Sequence, residues 1–186
     1  MLNELYLNPS LQAEMREAFV REGHLRLDHF LELPTLAPLT RRLWHLRGKH
    51  VFQAHLHSFL QLPSDPFLRT TFAGPLMKRF IGSIVGKSVK RIELTARSFS
   101  STDFTLLHDS RRERGIHFYY VLSETWNPAW GGSLTFVLPR APSLLFTPQH
   151  NALFLIAFTS DMRSFIQYIT NLANRRSFIV VEGRVL

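Results

Sequence analysis

The chain has 186 residues, of which 45% are hydrophobic and 16 are Phe, and its net charge of +8 comes from 22 Lys and Arg against 14 Asp and Glu. That length and apolar content suit one globular domain with a sizeable core and exclude a disordered chain. With no Cys, disulfides, thiolate metal sites and cysteine nucleophiles are all excluded, so any metal would need His, Asp or Glu. No run approaches the ~20 apolar residues of a membrane span, and Met1 to Asn8 lacks the basic and apolar blocks of a signal peptide, so a cytoplasmic protein is expected.

Asn8 followed by Pro9 predicts an N-cap with Pro in the first turn. Leu11, Met15, Ala18 and Phe19 then continue at helical spacing to Gly23. His24 to Phe30 alternates like a short strand, and Leu36, Leu39 and Leu43 mark a second helix. The stretch from His50 to Pro66 gives no clear period. Within it His55 and His57 would hold a metal only on a strand, and the flanking Phe52, Leu56, Phe59 and Leu60 favour a helix instead. Phe72, Leu76, Phe80 and Ile84 fall every four residues and predict one helix from Pro66 to Gly86.

Beyond Gly86 the pattern turns to short strands: Val89 to Phe99, Phe104 to Leu107, Ile116 to Ser123, Ser133 to Leu138, Ser143 to Phe146, Ala152 to Thr159, Ser164 to Thr170 and Ser177 to Glu182. Asn127-Pro128 and Gly131-Gly132 are the clearest turns between them. Helices first and strands later predict an α+β fold in which residues 1–86 are mainly helical support and residues 87–186 a sandwich or barrel core, all in one domain.

The order of the later segments carries a resemblance. Leu106-Leu107-His108-Asp109-Ser110 and Arg114 precede the strand His117 to Leu122. Trp126, Trp130-Gly131-Gly132-Ser133-Leu134, Pro148 to Asn151, Phe154 to Phe158, Ser164 to Tyr168 and Arg175-Arg176-Ser177 follow. This order resembles the prolyl 4-hydroxylase-like branch of the 2-oxoglutarate and Fe(II) oxygenases, especially the group that hydroxylates a ribosomal protein. The resemblance implies a double-stranded β-helix, the jelly-roll or cupin-like core, with the N-terminal helices packed on one face.

In that family a His-x-Asp pair and a distal His hold Fe(II) and leave positions open for co-substrates. The resemblance puts the first ligand at His108 and the carboxylate at Ser110. Asp109 stands one residue early and faces away from His108 on an extended segment unless the backbone bulges. The distal ligand falls on Ile166, which cannot bind a metal; His117 and His150 are the nearest imidazoles and match neither position. Arg175 falls where the family grips the distal carboxylate of 2-oxoglutarate, with Ser177, Tyr119 and Tyr120 as neighbours, so a dicarboxylate pocket could outlast the iron site.

Three readings follow. The leading one is an oxygenase-fold protein that has lost its iron and serves as a binding or scaffold module for a protein partner, or for ribosomal and other RNA-rich assemblies given its charge. The second is an active prolyl-hydroxylase-like dioxygenase with an atypical iron site at His108 and Asp109. The third is a β-barrel nucleic-acid binder, with Phe118, Tyr119, Trp126 and Trp130 as a stacking platform beside Arg111, Arg112 and Arg114.

Overall fold

The computed structural model describes residues 1–106, 114–123, 125–139 and 141–186. Helix α1 (Pro9–Glu22) starts where Asn8 accepts hydrogen bonds from the Ser10 and Leu11 amides, and it stops at Gly23, whose φ of 74° only glycine takes without strain. Strand β1 (His24–Leu27) and helix α2 (Leu33–His45) follow, with Leu36, Leu39 and Leu43 buried along the inner side of the helix.

Two expectations for the first half are corrected. The segment after α2 is a hairpin of β2 (Lys49–Gln53) and β3 (His57–Gln61), so the helix favoured around His55 and His57 does not form. Only β3 is packed there: Ser58 and Phe59 are both buried, while Phe52, directly across from Ser58 on β2, stays largely exposed. The single helix expected over 66–86 is two, α3 (Pro66–Ala73) and α4 (Pro75–Val85). Pro75 has no N–H to continue the ladder and forces Gly74 into an extended conformation (φ −72°, ψ 170°), which ends one helix and starts the next.

The second half is β-rich as expected. It contains β4 (Ile92–Ser100), β5 (Phe104–Thr105), β6 (Gly115–Ser123), β7 (Leu134–Leu138), β8 (Ala141–Phe146), β9 (Ala152–Phe158), β10 (Arg163–Ile166) and β11 (Ser177–Val185). Among the described residues the strands form two antiparallel sheets. The larger runs β1-β9-β6-β11-β4-β3-β2, with β5 paired to β3, and the smaller runs β10-β7-β8. This is the expected double-stranded β-helix on an α+β plan. The first half is more than helical support, because β1 extends one edge of the large sheet beside β9 and the β2–β3 hairpin extends the other.

Period-two alternation splits the large sheet's side chains between two cores. Phe118, Tyr120, Leu122, Leu153, Leu155, Ile179 and Val181 face the helices and pack with Phe19, Leu39, Phe72 and Phe80. Tyr119, Phe154, Ile156, Phe158, Phe178 and Val180 face the small sheet and meet Leu134, Phe136 and Ile166. Gly183 lies directly across from Phe118, and a Cβ there would stand 2.0 Å from its ring, so this glycine makes room for a core aromatic.

Asn151 ties the N-terminal segment to the sheet. It holds φ 56° in the turn before β9, accepts from the Leu31 amide (2.8 Å), donates to the Leu31 carbonyl (2.8 Å) and accepts from the Tyr120 hydroxyl (3.0 Å).

Candidate functional site

The space between the two sheets is where the resemblance places its chemistry, and three neighbouring strands put polar groups there. Tyr119 on β6 stands directly opposite Glu182 on β11, and Arg97 on β4 stands opposite Val180. The Glu182 carboxylate accepts from the Arg97 guanidinium (3.3 Å) and from the Tyr119 hydroxyl (3.3 Å), with His117 Nδ1 at 3.8 Å. The Arg97 guanidinium also lies over the Phe59 ring, 5.0 Å from its centroid, a cation–π contact that favours charge in a place short of water.

Facing this group, Ile166 ends β10 opposite Leu134; it is 6% exposed, and its amide donates to the Thr105 hydroxyl (2.7 Å). The cavity bounded by Thr95, Arg97, Tyr119, Leu134, Ile166 and Glu182 has a volume of about 10 Å³. That is at the lower limit for one water molecule.

Structure and sequence can be matched residue by residue. His108, Asp109, Ser110, Arg111 and Arg112 lie outside the described residues. Arg114 is exposed just before β6. Ile166 does reach the interior. Tyr119 and Tyr120 point to opposite faces of β6: Tyr119 enters the inter-sheet space, whereas Tyr120 is buried on the helix side against Phe72 and Asn151. Burial pushes the Tyr120 phenol well above its usual pKa, keeping it a neutral donor.

Arg175 is exposed in the turn after the short 3-10 helix Asn171–Ala173, and Ser177 is half-buried opposite Ser100 with the parity of Ile179 and Val181, which face the helices. The structure therefore does not bring Arg175, Ser177 and both tyrosines to one pocket. The physical reason is strand parity: the inward residues of β11 are Phe178, Val180 and Glu182.

His117 is a buried strand residue against Phe158. His150 sits in a turn with Nδ1 2.5 Å from the Ser123 carbonyl. His55 occupies the β2–β3 turn at φ 64°, and His57 lies beside Phe59. Among the described residues no three His, Asp or Glu side chains are grouped closely enough to hold a metal ion. Nor does the aromatic platform assemble: Phe118 and Tyr119 are buried on opposite faces, while Trp126 packs edge-on against Phe178 and bonds the Gly131 carbonyl.

Arg97 and Glu182 are the charged residues between the sheets that the motif order did not expose. Their signal in the sequence is partial: Arg97 alternates with Phe99, and Glu182 with Phe178 and Val180, but Glu93, Thr95 and Arg184 have the same parity, so the charge is not isolated on either strand face.

No protein-family model matches the chain, and no curated protein matches it in sequence. Solved structures match it over nearly its whole length. A prolyl-4-hydroxylase from Pseudomonas putida is 16% identical, with a TM-score of 0.73 over 94% of this chain and 98% of that one. The fold is that of the 2-oxoglutarate and iron oxygenases, in their prolyl hydroxylase form. A Burkholderia pseudomallei oxidoreductase of the 2OG-Fe(II) oxygenase family is 15% identical, with a TM-score of 0.71 over 93% of this chain and 90% of that one. A Trichoplax adhaerens prolyl hydroxylase, in complex with a hypoxia inducible factor oxygen degradation domain peptide fragment, is 12% identical, with a TM-score of 0.72 over 98% of this chain and 92% of that one.

The fold implies Fe(II) and 2-oxoglutarate, and the described interior does not fit the co-substrate. The donors that could grip a carboxylate there, Arg97 and Tyr119, already hold Glu182, and about 10 Å³ cannot admit a dicarboxylate. Of the positions expected to ligate iron only Ile166 is described, and its aliphatic side chain offers no lone pair. No helix among the described residues is long and apolar enough to cross a membrane.

Proposed function

We propose that this oxygenase-fold chain works as a single-domain, protein-binding module of the cytoplasm rather than as an iron and 2-oxoglutarate dependent hydroxylase. One observation carries the reading: Glu182, a carboxylate of the chain itself, takes the Arg97 and Tyr119 donors between the sheets, opposite the aliphatic Ile166. A free dicarboxylate would have to displace a tethered one, which competes at high effective concentration. A polypeptide partner is supported by the Trichoplax adhaerens structure of the same fold, which contains a peptide fragment.

The test is anaerobic loading with Fe(II) and 2-oxoglutarate, followed by metal analysis and a succinate assay. The expected result is iron far below one per chain and no succinate above a protein-free control. Stoichiometric iron together with succinate formation would establish the hydroxylase reading at His108 and Asp109 instead.

A further inference from the structure

On the far side of β4 from β11, the large sheet has a gap. Arg91 exchanges both backbone hydrogen bonds with Leu186 (3.1 and 2.8 Å), so Arg91, Glu93 and Thr95 direct their main-chain groups to β11, and Ile92, Leu94 and Ala96 direct theirs the other way. On that other side β3 covers only the upper end of the strand: Leu60 pairs with Ser98, Gln61 with Arg97, and the Ala96 carbonyl accepts from the Leu62 amide (3.0 Å) and the Gln61 side chain (2.9 Å). The chain then turns away through Pro63 and Ser64 into α3. The N–H and C=O groups of Ile92 and Leu94 are left without a hydrogen-bond partner among the described residues.

This stretch of strand edge is not flush with the surface. It floors a cavity of about 640 Å³ whose opposite wall is α3, through Asp65, Leu68, Arg69 and Ala73. From Ile92 to Ala96 the floor runs about 13 Å at the rise of a strand, the length of a short extended peptide. Water can satisfy these groups, but a chain in extended form offers donors and acceptors at the matching repeat, so the edge is a template for an added strand.

The charges at the slot set the kind of chain. Its two carboxylates are already neutralised: Asp65 by Arg42 (2.6 Å), and Glu93 by Arg91 (2.8 Å) and Arg184 (3.9 Å). Arg69 donates only to the neutral Ser64 hydroxyl (3.0 Å). With Asp65 paired to Arg42 and Glu93 to Arg91, Arg69 is the lining cation with no carboxylate partner among the described residues, which leaves a surplus of one positive charge at the slot in a chain of net charge +8.

We propose that the slot between β4 and α3 binds an extended acidic segment of another protein, which adds as a strand to the free edge of β4 at Ile92 and Leu94. The proposal rests on the binding-module reading only for its biological use. The edge, the groove and the charge stand whatever the interior does.

The probe is an acetylated, amidated peptide of about seven residues alternating valine and glutamate, titrated by NMR against the whole protein at low salt. Binding is expected to protect the Leu94 amide from exchange, to weaken as salt rises, and to fall at least about tenfold in Leu94→Pro, which removes one edge donor and leaves the β11 ladder intact. Leu94→Ala keeps the N–H and should bind like the wild type, whereas Arg69→Glu should bind several-fold more weakly. Should Leu94→Pro fail to fold, N-methylated peptides replace it: methylation at the nitrogens facing β4 abolishes binding, and methylation at the alternate ones does not.

The proposal is overturned if the peptide does not bind at millimolar concentration, if a valine–lysine peptide binds as well, or if N-methylation has no positional effect. It is equally overturned if the slot is closed by a second copy, seen as a concentration-dependent dimer that Leu94→Pro dissolves. Failure of the peptide with no succinate formed removes the slot and leaves the binding-module reading; succinate formation with peptide bound does the reverse.

Discussion

Glu182→Ala probes the interior most directly. In the folded protein the carboxylate neutralises Arg97 at 3.3 Å and satisfies the Tyr119 hydroxyl at 3.3 Å, and Tyr119 is 1% exposed. Removing one member of a fully buried ion pair costs about 3–5 kcal/mol. The side chains of Arg97 and Glu182 keep 28% and 16% of their exposure, so water screens part of that loss and roughly 2–3 kcal/mol is expected. For a chain of this size the melting temperature should fall by about 4–12 °C.

Glu182→Ala also leaves a space lined by a guanidinium and a phenol, which is a site for a small carboxylate. Acetate at ten times its Kd would return about 1.4 kcal/mol, read by calorimetry against chloride at equal ionic strength. Glu182→Gln should lose less, because the amide oxygen still accepts. The reasoning is refuted if Glu182→Ala melts like the wild type, or if acetate raises the wild type and the Arg97→Met, Glu182→Ala double variant by the same amount.

Two further perturbations test buried polar side chains that bind backbone groups. Asn151→Ala leaves the Leu31 amide and carbonyl and the buried Tyr120 hydroxyl without partners; a loss of roughly 3–4 kcal/mol in urea unfolding is expected with little change in slope. Asp65 is nearly fully buried; burial alone would raise its pKa, but the Arg42 guanidinium and the Leu68 and Phe67 amides more than offset that and hold it below the ordinary carboxylate range. A depressed folded-state pKa means that this stabilisation is fully present above the unfolded value near 3.9 and is lost as pH falls through the lower folded one. Asp65→Ala should therefore cost about 1–2 kcal/mol at neutral pH, and the gap to the wild type should close in acid melts below about pH 4.

Much of the fold was legible because its signals are local. Asn8, Pro9 and Gly23 bracket α1, and the near-continuous apolar runs from Ile116 to Ser123 and Ala152 to Thr159 mark β6 and β9 within a residue or so. The hairpin at Lys49–Gln61 was not legible, since β2 is largely exposed and its pairing with β3 depends on β4 and β5 rather than on its own period. The break at Gly74-Pro75 was legible in principle, but the four-residue spacing of Phe72, Leu76, Phe80 and Ile84 spans it and imitates one helix.

The site was harder for a different reason. Arg175-x-Ser177 matched by spacing, yet which face of a strand a residue occupies depends on where the strand starts, and one residue of offset moves every side chain to the other face. On β11 that offset sends Glu182, not Ser177, into the interior.

Parity also explains how this fold and a filled interior can coexist. The ladders and the helix-facing core of Phe118, Tyr120, Leu153, Leu155, Ile179 and Val181 build the large sheet, and none of those side chains enters the space between the sheets. Residues of the opposite parity can therefore change without loss of the fold, provided the space they leave is filled and any charge they bring is paired. Both conditions hold here: Phe99, Phe136, Phe154, Phe158 and Phe178 occupy the interior, and the carboxylate and guanidinium that remain there neutralise each other. A His at position 166 would by that argument supply one imidazole to a space still closed by aromatics and still claimed by Glu182, so on the binding-module reading Ile166→His alone is expected to form no succinate.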